Sequence, residues 1–197
     1  MIVREAIPGD CSTLAEIHLK SFNDFFLSTL GKRFLETFYK ACIKNPGAIA
    51  VVCSTNEGVT AGFALASFKS EGFYRNILAG NLFSFSLEAV RLLFSRPGAL
   101  LRLALNLSKS GSDTRDTAEL LSIASLPEYS GKGVGKLLIE TIENKLKDHH
   151  RKAITLTTDY YNNDNVIGFY RSRGFEINSD FITYPGRRMY RMIKYLD

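Results

Sequence analysis

The stretch Ser130-Gly131-Lys132-Gly133-Val134-Gly135-Lys136 decides the fold of this chain. It follows an apolar run at 120–124 that is typical of a buried strand. Apolar residues recur after it at helical spacing, at Leu137, Leu138, Ile142 and Leu146. A glycine-rich turn between a strand and a helix exposes unpaired backbone N–H groups at the positive end of the helix dipole. The stretch therefore predicts a binding site for an anion such as a phosphate group.

Two familiar phosphate-binding loops do not match this spacing. A P-loop needs glycine at position 130 and Ser or Thr at position 137, where the chain has Ser130 and Leu137. A dinucleotide fingerprint that starts at Gly131 needs a further glycine at position 136, where the chain has Lys136. A glycine turn can also be a simple tight connection, so the loop taken alone leaves both interpretations open.

A second segment downstream helps to decide between an anion-binding loop and a simple tight connection. Residues 154–159 are β-branched and alternating, which predicts a strand, and residues 160–165 are polar. A short helix is predicted from Val166 to Arg173, ended by Gly174, and a further strand at 175–177. The C-terminal half is thus strand, glycine loop, helix, strand, Asn-rich loop, short helix and strand.

These two segments resemble the GNAT superfamily of N-acetyltransferases. The family's acetyl-CoA loop, [Gln/Arg]-x-x-Gly-x-[Gly/Ala], is matched at 130–135, with Ser130 at a position where the family usually has Gln or Arg. The family's Asn-x6-Tyr and x3-Gly-Phe pattern is matched at Asn163, Tyr170, Gly174 and Phe175. The strong match covers roughly residues 119–178.

The resemblance implies an α/β (α+β) fold of the GNAT type, with a central mixed, mostly antiparallel twisted sheet flanked by helices. The N-terminal half agrees with it, because a strand at 2–6 and two helices precede a hairpin of strands at 48–54 and 59–68. We expect a single acetyltransferase domain over residues 1–197, with a helical insertion at about 72–117 between the third and fourth strands.

The predicted insertion is rich in Leu and Phe, punctuated by Arg, and broken at Gly80 and at 97–98. We interpret it as a helical pair that packs on the sheet or at a dimer contact, so a homodimer stays open. A substrate lid is the next hypothesis. A pair of helices lying on a membrane surface is the third, because basic and bulky apolar residues alternate there.

Composition excludes several other classes of protein. The 197 residues are 45% hydrophobic, as in a globular domain, and carry a net charge of +5 that suits an anionic cofactor. No basic run resembles a nucleic-acid arm, so we expect no nucleic-acid partner. Cys11, Cys42 and Cys53 are scattered, which predicts neither a metal site nor a disulfide framework. With no secretory signal in the strand-like start of the chain, we expect a cytoplasmic location.

The resemblance implies that acetyl-CoA is the cofactor and that no metal is needed. The backbone amides of Gly131 to Lys136 would hold its diphosphate. The backbone around Ser125 would hydrogen-bond its pantetheine arm if the strand separates from its neighbour there, and an N–H near Ser125 would donate to the thioester carbonyl. The predicted cofactor-binding residues are Ile123, Ala124, Ser125, Ser130, Gly131, Lys132, Gly133, Val134, Gly135, Lys136, Asn163 and Tyr170.

Two residues are predicted to take part in catalysis. Tyr170 stands where family members keep a tyrosine near the cofactor sulfur, and a phenol is protonated at neutral pH and can donate to a leaving thiolate. Glu119 is the candidate general base, with an exposed strand-end carboxylate as the alternative. Asp159 is interpreted as a loop cap, and an ordered water chain can replace a side-chain base when the amine is well positioned. His18 lies on an apolar helix stripe and is interpreted as a core histidine.

The sequence thus predicts an N-acetyltransferase that moves an acetyl group from acetyl-CoA to a primary amine of a small molecule, with an amino sugar among the candidates. A protein N-terminus or lysine side chain remains open as the acceptor. The alternatives are a non-catalytic CoA-binding or interaction module, and an acyltransferase that acts at a membrane surface through residues 73–107.

Overall fold

One mixed, mostly antiparallel sheet organises the part of the chain that the computed structural model describes, namely residues 1–23, 25–69, 72–95 and 117–196. The seven strands of this sheet are β1 Ile2–Glu5, β2 Ala48–Ser54, β3 Thr60–Ser67, β4 Thr117–Ser125, β5 Ala153–Asp159, β6 Glu176–Thr183 and β7 Arg187–Tyr195. They are ordered β1-β2-β3-β4-β5-β7-β6. Neighbouring strands are antiparallel except β4 and β5, which are parallel.

Helices cover both faces of the sheet. The described helices are α1 Cys11–Ser21, α2 Phe26–Thr29, α3 Lys32–Ile43, α4 Phe73–Gly80, α5 Leu82–Ser95, α6 Val134–Asp148 and α7 Asp164–Arg171. Short 3-10 turns lie at Pro8–Asp10 and Pro127–Tyr129. Because the parallel strands β4 and β5 cannot be joined by a tight turn, α6 forms the crossover between them.

Two hydrophobic clusters, one on each face of the sheet, hold these layers together. Adjacent residues of one strand enter different clusters, as Val51 and Val52 do, because successive side chains of a strand point to opposite faces. One cluster contains residues of α6 and α7, and we call it the α6 cluster. The other contains residues of α1, α3, α4 and α5, and we call it the α3 cluster. The predicted fold class is confirmed by this arrangement.

The C-terminal hairpin differs in one respect from the sequence prediction. The sequence predicts a short strand at 175–177, whereas β6 runs continuously from Glu176 to Thr183. A register shift between Ile177 and Ser179 lets its pairing with β7 continue across this polar stretch. β6 is an edge strand with mostly exposed side chains, so it lacks the apolar alternation that marks a half-buried strand.

The interval predicted as an insertion contains two described helices, α4 and α5, separated at the expected break after Gly80. Phe73, Ile77 and Phe85 are buried in the α3 cluster, so the described part of these two helices packs on the body of the protein. Residues 96–116, including the break at 97–98, lie outside the described residues, and Thr117 already begins β4. No helix in the described ranges has the length and apolar content needed to cross a bilayer.

Candidate active site

A gap opens in the sheet between its two parallel strands. β4 and β5 pair from Thr117 opposite Ala153 to Leu120 opposite Leu156. Beyond this point β4 continues along β3 to Ser125, whereas β5 continues along β7. β4 also carries an extra residue at 121, between the positions that face β3, and such a bulge bends a strand and increases its twist. The separation gives β4 the free backbone edge that was expected for the cofactor's arm.

Hydrogen-bond alternation shows which backbone groups face this gap. The Leu126 N–H donates to the Ala61 carbonyl at 2.9 Å, in the register that β3 and β4 share. Every second residue of an antiparallel pair directs its backbone groups at its partner, so Ala124 faces β3. Ile123 and Ser125 therefore direct theirs away from β3. Among the predicted strand positions 123–125, Ala124 is thus the one whose backbone groups do not face the gap.

The glycine loop lies between β4 and α6 and takes a conformation suited to an anion. Gly131 and Gly133 have φ values of 72° and 85°, in the left-handed region that favours glycine. A Cβ atom built on either residue would meet no atom of the described residues within 4 Å, so both positions have room for a ligand beside the described part of the chain. At Gly135 a Cβ atom would lie 3.0 Å from Phe169 Cζ, so this glycine permits α6 and α7 to approach closely.

The loop keeps most of its amides available. Two are already used, because Ser130 N–H donates to the Pro127 carbonyl at 3.1 Å and Lys132 N–H to the Tyr129 carbonyl at 3.2 Å. Helix α6 starts without a side-chain cap, which leaves its first N–H groups without that partner. The amides of Gly131 and of residues 133–136 thus form the donor set, and the groups present fit a diphosphate.

A cavity of about 420 Å³ extends along the gap. Its wall combines the C-terminal part of α1, the α1–α2 connection, β4, β5, α7 and the β6–β7 hairpin. Predicted site residues among its lining are Ile123, Asn163 and Tyr170. The gap and the phenol predicted as general acid therefore share one cavity.

Tyr170 is held by α7 in the wall of this cavity, 8% exposed. Its ring packs against Phe169 and Phe175, with centroid separations of 5.4 and 5.6 Å. Burial raises the pKa of its phenol well above the usual value, so the group keeps its proton at neutral pH. This protonation state is the one that a general acid needs.

Asn163 lies between β5 and α7 and fixes the loop that joins them. Its Nδ2 donates to Thr158 Oγ1 at 2.7 Å and to the Asp159 carbonyl at 2.9 Å. Both amide hydrogens are therefore engaged, and the side chain makes no cap hydrogen bond to α7. The amide oxygen is the atom that remains for a cofactor donor.

Glu119 lies on β4 one position before the last parallel pair, Leu120 opposite Leu156. It is not among the described residues that line the cavity. Tyr74 of α4 does line it, and the pKa of Tyr74 is raised by burial first and then by the charge of Glu119. The charge of Glu119 thus acts on a cavity tyrosine, and alternation along β4 places Glu119 on the sheet face opposite Ala118 and Leu120 of the α6 cluster.

His18 has a less ordinary environment than the sequence indicates. The residue is 3% exposed, yet its ring lies in the cavity wall. Its Nδ1 lies 2.6 Å from Tyr39 Oη, whereas its Nε2 is buried and has no hydrogen-bond partner among the described residues. Burial lowers the pKa of His18 to about 4, so the imidazole is neutral near pH 7. A merely apolar core position does not account for the unpaired nitrogen.

Arg187 ties three parts of the cavity wall together. Its guanidinium donates two hydrogen bonds to the Asp159 carboxylate at the end of β5. It also lies 4.2 Å from the centroid of the Phe25 ring, in the α1–α2 connection. Asp159 is therefore an ion-pair partner of the β6–β7 hairpin, in addition to the loop contact of its carbonyl with Asn163.

Sequence reasoning missed the residues that form the wall opposite Tyr170. They are His18, Phe22, Phe25, Phe26, Tyr74 and Arg187. The aromatic residues belong to apolar helix patterns that serve core packing equally well, so their spacing alone cannot distinguish the two roles.

The glycine loop itself is not among the described residues that line the cavity. A gap between parallel strands, a glycine loop with available amides at the start of α6, and a protonated phenol beside the gap together suit group transfer from a phosphate-bearing donor. Comparison with known proteins names the family. The model of the acetyltransferase (GNAT) family matches residues 13–175, and the chain belongs to this family, whose members are acetyl-CoA-dependent N-acetyltransferases. The predicted family membership is thereby confirmed.

Individual relatives agree with this assignment. The histone acetyltransferase TAP1 of Glycine max is 30% identical over 97 residues, which make up 49% of this chain and 40% of that protein, so the chain spans less than half of that relative. The ribosomal-protein-S18-alanine N-acetyltransferase of Escherichia coli superposes with a TM-score of 0.62 at 16% identity, covering 100% of this chain and 94% of the other. The ribosomal-protein-alanine N-acetyltransferase of Brucella melitensis gives 0.66 at 16% identity, covering 100% of both chains. These two structures share the fold.

Proposed function

We propose that the chain transfers an acetyl group from acetyl-CoA directly to a primary amine of a small molecule, with amino sugars among the candidates. The observation that carries the proposal is the single cavity in which the β4–β5 gap meets the Tyr170 phenol. Direct transfer needs an acyl donor and an amine held side by side, and a shared cavity supplies that proximity.

The donor would be held by backbone groups. The amides of Gly131 and residues 133–136 would bind the diphosphate, and the free backbone edge at Ile123 and Ser125 would pair with the pantetheine arm. The Ser125 carbonyl accepts a hydrogen bond from Ser21 Oγ at 3.2 Å, on the side away from β3. The N–H of Ser125 would donate to the thioester carbonyl, where negative charge develops during attack.

Two side chains would take complementary roles in proton transfer, one as general acid and the other as general base. Tyr170 would donate its phenolic proton to the departing thiolate, because burial keeps the phenol protonated at neutral pH. Glu119 is our proposed general base, and it would act through ordered water because it is not among the described residues that line the cavity. If Glu119 is the base, Glu119→Gln removes the acidic limb of the pH profile of kcat/KM. An unchanged profile assigns deprotonation to water.

A contact between two walls of the cavity favours a small acceptor. Phe25 from one wall contacts Arg187 from the opposite hairpin, and Asp159 anchors that arginine. The contact bridges the two walls between which an acceptor would enter. A protein N-terminus or lysine stays the alternative acceptor. It is kept because two proteins of similar structure are named as ribosomal-protein-alanine N-acetyltransferases.

The decisive experiment measures CoA release from acetyl-CoA with a panel of amines, including amino sugars, small alkylamines and short peptides. Turnover with small amines at rates above those with peptides supports the proposal. Turnover with peptides alone moves the acceptor to proteins. Tight CoA binding without turnover on any amine favours the non-catalytic module, and co-sedimentation with anionic vesicles favours the membrane-surface alternative. A cytoplasmic location and a single domain over residues 1–197 remain part of the proposal.

A further inference from the structure

The unpaired nitrogen of His18 is the strongest unexplained feature of the cavity. A buried polar group without a partner destabilises a fold, and native proteins rarely keep one without a reason. Nε2 of His18 is such a group among the residues that the structure describes. It belongs to a ring in the cavity wall, so a molecule bound in the cavity can supply the missing partner.

The hydrogen bonds around His18 indicate which proton its ring carries. Burial raises the pKa of Tyr39, so its phenol keeps its hydrogen at neutral pH, and we assign that hydrogen to the contact with His18. The phenol hydrogen is then directed to His18 Nδ1, 2.6 Å away. A neutral imidazole has one ring proton, and with Nδ1 accepting, that proton lies on Nε2.

His18 and Tyr170 approach the cavity from opposite faces of the sheet. His18 is carried by α1 beside the α3 cluster, and Tyr170 belongs to the α6 cluster. Ser122 of β4 lies next to the predicted pantetheine positions and lines the same cavity. An acceptor bound against the His18 side of the cavity would therefore lie opposite the phenol proposed as general acid.

We propose that His18 Nε2–H donates a hydrogen bond to an uncharged oxygen of the acceptor. The acceptor is then a primary amine with a carbonyl or hydroxyl oxygen close to its nitrogen. This inference rests on the proposed function and specifies its substrate. An uncharged oxygen fits better than a carboxylate, because the wall beside His18 is aromatic and the guanidinium of Arg187 already binds Asp159.

Three small amines test the proposal by substrate and by variant. Glycinamide carries a carbonyl, 2-aminoethanol carries a hydroxyl, and propylamine carries neither. At equal concentrations of free amine, we expect the wild-type kcat/KM for one of the two oxygen-bearing amines to exceed that for propylamine by about tenfold, as one neutral hydrogen bond allows. The better of the two identifies the oxygen as carbonyl or hydroxyl.

Variants of His18 assign the preference to its side chain. His18→Phe keeps an aromatic ring and should abolish the preference, whereas His18→Gln can restore part of it by placing an amide donor nearby. His149→Phe replaces a histidine that packs on Phe68 away from the cavity and should leave the preference unchanged. Unaltered discrimination in a folded, CoA-binding His18→Phe protein overturns the proposal, as does a wild type that prefers propylamine or shows no preference.

Nitrogen-15 NMR of the histidine rings provides a second test that does not need turnover. In the CoA-loaded protein we expect His18 to carry its proton on Nε2, and glycinamide or 2-aminoethanol to shift this signal more than propylamine does. A proton on Nδ1, or equal shifts with all three amines, overturns the inference. Failure of acetyl transfer to every amine overturns the proposed function instead, and the NMR result still decides the role of His18.

Discussion

Burial shifts the pKa values of Tyr170 and His18 in opposite directions. Removing a phenol from water disfavours phenolate, and removing an imidazole from water disfavours imidazolium. The pKa of Tyr170 is accordingly raised and that of His18 is lowered to about 4. Each residue is thereby neutral at physiological pH, which suits one for proton donation and the other for a neutral hydrogen bond.

Replacement of Tyr170 tests its proposed role as general acid. Tyr170→Phe keeps the packing against Phe169 and Phe175 and removes only the hydroxyl. We expect kcat to fall by about 10²-fold, the lower end of general acid catalysis, with CoA affinity nearly unchanged. Tyr195→Phe is the matched control, because Tyr195 is 71% exposed at the end of β7. Steady-state kinetics and calorimetry measure both quantities, and an unchanged kcat in Tyr170→Phe removes the acid assignment.

The acid sensitivity of folding tests the state of His18. An unfolded histidine binds its proton near pH 6.5, whereas the folded one does so at about 4. The contribution to stability is therefore complete above pH 6.5 and is lost as the pH falls toward 4. Between about pH 8 and about pH 5 we expect this residue to remove about 2 kcal/mol from the free energy of unfolding.

Denaturant unfolding of wild type and His18→Phe at both pH values isolates this effect. Carboxylates with lowered pKa values, such as Asp10, act below this range and are common to both proteins. Tyr39, which faces His18 from α3, keeps its proton because burial raises its pKa. Equal losses in the two proteins would show that His18 titrates normally.

The β4–α6 loop is the element that we propose to bind the diphosphate of the cofactor. Its motif is local in sequence, so its conformation follows from glycine positions alone, and the expected strand-loop-helix order is found from Thr117 to Asp148. The gap beside it is different, because it depends on where β4 and β5 stop pairing. That point is set by the bulge in β4 and by the competing partners β3 and β7.

A pair of glycine variants tests the loop against a matched position. Gly133 and Gly58 have φ values of 85° and 84°, and a Cβ atom on either would meet no atom of the described residues within 4 Å. Alanine should cost about 1 kcal/mol of stability at both positions, because left-handed backbone strains any L side chain. Only Gly133→Ala should also weaken CoA binding, since Gly58 lies in the β2–β3 turn. Equal CoA affinities of the two variants in calorimetry would contradict the proposed diphosphate site.

The molecule as a whole brings five separated regions of the chain to one cavity. These regions are residues 18–27, Tyr74 of α4, residues 120–123 of β4, residues 156–170 from β5 to α7, and residues 183–189 of the β6–β7 hairpin. The chain also has a net charge of +5, which attracts the anionic cofactor over a longer range than any single contact. Stability and cofactor binding are therefore linked across the domain.

This linkage predicts how CoA changes global stability. A ligand at about 100 times its Kd that binds only the folded state adds about 2.7 kcal/mol to the free energy of unfolding. We expect CoA to raise the thermal midpoint, and added salt to reduce its affinity by screening. Pantetheine, which lacks the phosphates, is the control and should bind with little salt dependence. CoA affinity that ignores salt would show that the phosphates do not meet the loop.

By itself, the sequence determined the order of strands and helices, the glycine loop and the family motif at Asn163 and Tyr170. These features depend on local backbone preferences and on apolar periodicity, which are written into consecutive residues. Tertiary structure alone decided the β4–β5 gap, the ion pair of Arg187 with Asp159, and the unpaired nitrogen of His18. These features depend on which distant residues come into contact and on which buried polar atoms lack a partner. The local sequence pattern of a single chain predicts neither.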